Sequence, residues 1–204
     1  EAHKNWWGTS GPSSSQFNGG VDYGFHLTSP PIAPKASGTA TRTRITSSIS
    51  NKTVLVDSLK TVASTDSKTE NRKAALVHYY SIVRRDKNDA LDEKTTAISF
   101  LNGRLAAESD DAIKSQAFLF LLDAYLDQSQ NQAVLNAIAT LPSYLSAGSV
   151  QAAYSYGIFA NVALGDFAAA DKLLQTYEQQ FPKASEIVFL RQYIDGAHGI
   201  LPDQ

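Results

Sequence analysis

Residues 151–184 read QAAYSYGIFANVALGDFAAADKLLQTYEQQFPKA, and the fold of the whole chain is read from this stretch. Two apolar series at helical spacing flank the tetrapeptide Leu164-Gly165-Asp166-Phe167. Gly165 supplies the backbone freedom that a tight turn between helices demands. Ala170, with a single methyl group, permits two helices to approach closely. Pro182 has no amide hydrogen to donate and stops the second helix. The spacing therefore predicts one helix opening at Ser149 and closed by Gly165, and a second from about Asp166 to Phe181.

The same periodicity extends in both directions. Ser67-Lys68-Thr69-Glu70 has the pattern of a capping box, and a helix follows from about Thr69 to Arg85. The turn Asp86-Lys87-Asn88-Asp89 separates it from a helix ending near Ala107. Ser109-Asp110-Asp111 opens the next, which carries two stripes. Ile113, Ala117, Phe120, Leu121 and Ala124 form one, and Phe118, Leu122 and Tyr125 the other. A helix apolar on two sides lies between two neighbours. A shorter helix from about Asn131 to Thr140 ends at Leu141-Pro142, and a last one begins at Ser185-Glu186 and fades at Gly196. Alternate helices thus begin near residues 69, 110 and 149, a period of about 40 that marks paired antiparallel helices in an α-solenoid. A compact helical bundle is the alternative arrangement.

The run Leu164-Gly165-Asp166-Phe167, then Ala170, Leu174 and Pro182, resembles the second half of a tetratricopeptide (TPR) repeat, and the interval from Gly165 to Pro182 matches that family's spacing. The resemblance is clear over residues 151–184; Tyr177 stands where the family has a small residue. It implies a mainly α, TPR-like solenoid of three helical hairpins and a capping helix. It also implies a concave groove, lined by the first helix of each pair, that takes a peptide or a partner protein. In this repeat the groove would include Ser155, Phe159 and Val162, while Tyr154 and Ile158 pack against the paired helix. A basic cradle for a carboxylate-ended peptide is lacking.

The first part of the chain has another character. Residues 1–68 hold 6 Gly, 4 Pro, 12 Ser and 9 Thr but only 12 Leu, Ile, Val or Phe, too few to build a core of their own. Residues 69–204 hold 37 of those apolar residues. Charge divides with composition: seven cations against four anions give +3 up to residue 68, and eleven against sixteen give -5 after it. The expected division is an extended arm over 1–66 and a helical body over 67–204. Within the arm, residues 39–58, TATRTRITSSISNKTVLVDS, are rich in β-branched side chains. Ile45, Ile49, Val54 and Val56 predict one or two extended segments there, or an extended coil along the helices. Trp6, Trp7, Phe17, Tyr23 and Phe25 form an aromatic series among small residues. Such side chains anchor an arm in a partner's pocket, stack on sugars, or pin the arm to its own body. Leu27 to Pro34, LTSPPIAP, reads as stiff polyproline-like chain.

Composition bounds the chemistry. A net charge of -2 argues against a dedicated nucleic-acid binder, and no apolar run is long enough for a transmembrane helix. Without cysteine there are no disulfides, thiolate nucleophiles or Cys-ligated metals. The chain begins at Glu1 and has no methionine, which fits removal of a signal peptide and an extracytoplasmic location; a proteolytic fragment would read the same. His3, His26, His78 and His198 show no metal-ligand spacing, and no cofactor is expected. Asp123 and Asp127, one helical turn apart, can serve acid–base chemistry, though a solvated helix face accounts for them better. Asp86 to Asp89 begins like a calcium loop, but Leu91 and Ala97 occupy the places of its glycine and its closing glutamate. Asn51-Lys52-Thr53 is a glycosylation triplet. These readings lead to a non-enzymatic structural subunit whose arm docks on a neighbouring copy, with a filament or ring as the product. The alternative is an adaptor that holds a different protein or peptide in its groove.

Overall fold

The computed structural model describes residues 49–86 and 93–199. By contacts the chain divides into Glu1–Thr46 and Ser47–Gln204, and the described residues belong to the second unit. They form eight helices: α1 Ile49–Thr65, α2 Thr69–Arg85, α3 Glu93–Ala107, α4 Asp111–Asp127, α5 Asn131–Ile138, α6 Ala147–Ala163, α7 Phe167–Gln180 and α8 Glu186–His198. None is long and apolar enough to cross a membrane.

Packing follows chain order. The even-numbered helices touch in succession, α2 on α4, α4 on α6 and α6 on α8, and make one layer. The odd-numbered helices lie against it, α3 on α2 and α4, α5 on α4 and α6, α7 on α6 and α8. Three cores are staged along this stack, a helix-on-helix packing consistent with a helical repeat. The two stripes of α4 explain the division. Ile113, Ala117, Leu121 and Ala124 enter the first core, and Phe118 and Leu122 enter the second.

Turn chemistry sets the helix ends. Asp110 caps α4 by accepting from the amides of Ala112 and Ile113. At the α6–α7 turn Gly165 has φ +75, and the Asp166 side chain accepts from the amide of Ala169. The capping box expected at Ser67 to Glu70 is not formed. Asp66 takes its place, accepting from the Lys68 amide at 2.7 Å and from Asn71 at 3.1 Å. These bonds hold its carboxyl below the usual range.

The β-branched stretch read as extended chain is helical from Ile49 onward. Val56 and Ala63 are fully buried, and Leu59 packs against the same core. Burial of that face overrides local β preference; one fully buried Val alone contributes about 2 kcal/mol. The helical body therefore begins before Ser67, and α1 is part of it. Ile45 and the rest of the expected extended segment lie outside the described residues.

Gly157 in α6 was singled out by no motif. A β-carbon there would lie 2.1 Å from Ile138 Cδ1 and 2.7 Å from Leu173 Cδ2. Side chains of α5 and α7 thus close over the α6 backbone from two sides.

Candidate functional site

Two kinds of surface feature stand out: polar bridges between helices, and apolar faces at the two ends of the stack. In the first bridge the Tyr80 hydroxyl donates to Asp123 Oδ2 at 2.7 Å, and Arg84 Nε reaches the same oxygen at 2.7 Å. Arg84 also reaches Asp127 Oδ1 at 3.1 Å, and Lys94 Nζ meets Asp127 Oδ2 at 3.2 Å. Two anions and two cations from α2, α3 and α4 are thereby matched. Tyr80 stacks on Phe120 with ring centroids 4.4 Å apart, which fixes its hydroxyl against α4.

Asp123 is buried, so the solvated-face reading of the pair holds only for exposed Asp127. Burial raises the Asp123 carboxyl above its usual range despite the pull of Tyr80 and Arg84. Burial and the nearby carboxylate likewise hold the Tyr80 phenol far above its ordinary range, and Tyr156 on α6 is raised by the same causes. A shallow dent beside the bridge is lined by Val83, Lys94, Ala97, Ala124 and Gln128. The arrangement is suited to clamping α2 on α4.

A second bridge centres on Glu108. Arg72 donates to both of its oxygens at 3.1 Å, Arg104 pairs with Oε2, and the Ser109 and Asp110 amides donate to Oε1. Burial opposes the charge, but the Arg72 hydrogen bonds and the two amides outweigh it and hold the carboxyl at about 2. A third bridge joins α1, α2 and α3 at Glu93, which accepts from Lys60 at 2.8 Å, Tyr79 at 3.1 Å and Thr96 at 2.8 Å.

The apolar faces lie elsewhere. Among the described residues seven large hydrophobic side chains are exposed, and six are on α1 or α8. On α1 these are Val54, at 66% exposure, Leu55 and Val62; on α8 they are Val188, at 65%, Phe189 and Tyr193. The seventh, Leu164, is in the α6–α7 turn. At 3.6 residues per turn Val188 and Phe189 lie away from buried Leu190 and Ile194, while Tyr193 lies at the edge beside α6. Phe189 and Tyr193 stack at 6.3 Å, and Tyr193 also meets Phe159 edge-on at 5.0 Å.

Of the residues singled out from sequence, Trp6, Trp7, Phe17, Tyr23 and Phe25 lie outside the described residues. Ser155, Phe159 and Val162 are half-buried on α6. Ser155 donates to the Gln151 carbonyl, and Phe159 and Val162 pack against the third core, so the set is partly covered. Tyr154 and Ile158 face α7 as expected: Ile158 is fully buried, and Tyr154 packs edge-on against Tyr177 at 6.1 Å. His78 is exposed, and His198 stacks on Phe167 at 4.5 Å. Among the described residues no group of three or more His, Asp or Glu stands where it would hold a metal ion. Sequence reading passed over the end faces. Applying the two-stripe criterion of α4 to Ile187-Val188-Phe189-Leu190 and Tyr193-Ile194 would have found the one on α8.

No protein-family model, no curated protein and no solved structure matches this chain.

Two predictions follow from the bridges. Tyr80→Phe should cost about 1–2 kcal/mol and Asp123→Ala about 2–3 kcal/mol, with the double variant at least ~1 kcal/mol short of the sum. Urea unfolding measures this, and simple additivity would show that the two groups do not work together. The low Glu108 value makes its contribution complete above the ordinary carboxylate value of 4.5 and lost as pH falls towards 2. Glu108→Gln should therefore cost about 3 kcal/mol at neutral pH and flatten the stability profile below pH 4.5. A variant whose acid profile parallels the wild type would contradict the bridge.

Proposed function

We propose that this protein is a non-enzymatic structural subunit outside the cytoplasm, a TPR-like helical body that assembles with copies of itself. The observation that carries the reading is the placement of exposed apolar side chains at both ends of the stack. A repeat stack that works as a monomer closes its ends with polar outer faces. Here Val54, Leu55 and Val62 at one end, and Val188, Phe189 and Tyr193 at the other, face water instead. Exposed apolar patches of this kind mark association surfaces.

The basic N-terminal stretch supplies a second point of attachment. Its aromatic anchors Trp6, Trp7, Phe17, Tyr23 and Phe25 dock on the acidic body of a neighbour; four cations against two anions give +2 up to residue 48, fourteen against eighteen give -4 after it, and the opposite signs favour that approach. An arm that reaches from each copy to the next makes a heterologous contact, which runs on as a filament or closes as a ring.

The test compares the full chain with a version lacking residues 1–48, which keeps α1 and the whole helical body, by light-scattering mass and negative-stain imaging. Circular dichroism verifies that the shortened chain stays helical. The full chain should form regular particles many times its 22.1 kDa mass, and the shortened chain should fall to single or few copies at equal concentration. A full chain that stays at 22.1 kDa, or two chains with the same size distribution, would overturn the reading.

A further inference from the structure

We infer that copies of the body stack head to tail, with α1 of one copy seated on the outer face of α8 of the copy before it. This deepens the self-assembly reading above and rests on it, but it names a contact separate from the arm.

The packing order contains the reason. Inside the stack every even-numbered helix has an odd-numbered neighbour on each side: α2 has α1 and α3, α4 has α3 and α5, and α6 has α5 and α7. Among the described helices α8 has one odd-numbered neighbour, α7, besides α6 in its own layer. Every interior odd-numbered helix in turn lies between two even-numbered ones, while α1 packs on α2 alone in that layer. Among the described helices, the position without a neighbour beside α8 is that of an odd-numbered helix, and the one beside α1 is that of an even-numbered helix. A second copy satisfies both at once, because its α1 continues the alternation that ends at α8.

The side chains agree with the order. The end helices carry six exposed hydrophobics, Val54, Leu55 and Val62 on α1 and Val188, Phe189 and Tyr193 on α8. Stacked Phe189 and Tyr193 offer a broad, rigid ring surface, and Val54, Leu55 and Val62 offer aliphatic side chains of the kind that pack on rings. The contact is heterologous and leaves a free α1 and a free α8 on every dimer.

The chain has no cysteine, so single cysteines report the contact without background. In the full chain, Val54→Cys, Leu55→Cys and Val62→Cys are each mixed with Val188→Cys or Phe189→Cys under mild oxidation. At least one α1–α8 mixture should give a covalent dimer, at least tenfold faster than either of its members alone. The matching double variant should give a ladder of covalent multimers. Phe189→Glu should weaken association at least tenfold with the helical spectrum unchanged. Faster bridging within a single α8 variant would overturn the head-to-tail contact in favour of a symmetric one. Mixtures that do not bridge, beside a full chain that still assembles and loses assembly on removal of residues 1–48, would sink this contact and leave arm docking standing. A full chain monomeric at every concentration would sink both.

Discussion

A helix that touches neighbours on two sides has to be apolar on two sides, and the rest of the fold depends on that constraint. Helix α4 meets it with one stripe in the first core and another in the second, and α6 links the second core to the third in the same way. Such helices have little circumference left for solvent, so polar groups on them must find partners inside the protein. Helix α8 has the same two-sided character, but among the described helices only α6 and α7 pack on it. In the middle of the chain two-sided apolarity builds the stack; on α8 it leaves Val188 and Phe189 exposed.

The polar bridges follow from the same constraint. A buried carboxylate such as Asp123 is tolerated only where Tyr80 and Arg84 meet it, so it permits one register of α2 on α4. Glu108 acts similarly at the α3–α4 turn, where two arginines and two backbone amides converge on one carboxylate. Apolar stripes decide which helices touch, and the bridges decide at what height. Gly157 shows how closely: Ile138 and Leu173 occupy the space that any larger residue would need.

Much of this was legible in the sequence. Helices α2 to α8 are recovered with ends shifted by a few residues, because their apolar residues recur at helical spacing and Asp110, Gly165 and Pro182 punctuate them. The two-sided packing of α4 was readable from its two stripes. Helix α1 was not, because its Val and Thr content favours extended chain locally, and only burial of Val56, Leu59 and Ala63 against α2 reverses that preference. The bridges were invisible for another reason. Tyr80 and Asp123 are 43 residues apart, and nothing local marks them as partners. The end faces escaped because exposure depends on which neighbour is missing, and that is a property of the whole stack. The aromatic series from Trp6 to Phe25 lies outside the described residues, and the docking proposed for it is argued from composition.

Hydrogen exchange of backbone amides, followed as the full chain is concentrated, addresses the open ends most directly. Amides in α1 and α8 should exchange more slowly as concentration rises, while those of α4, already covered on both sides, stay unchanged. Protection in α1 and α8 that does not vary with concentration, in samples whose mass is increasing, would contradict association through the ends of the stack.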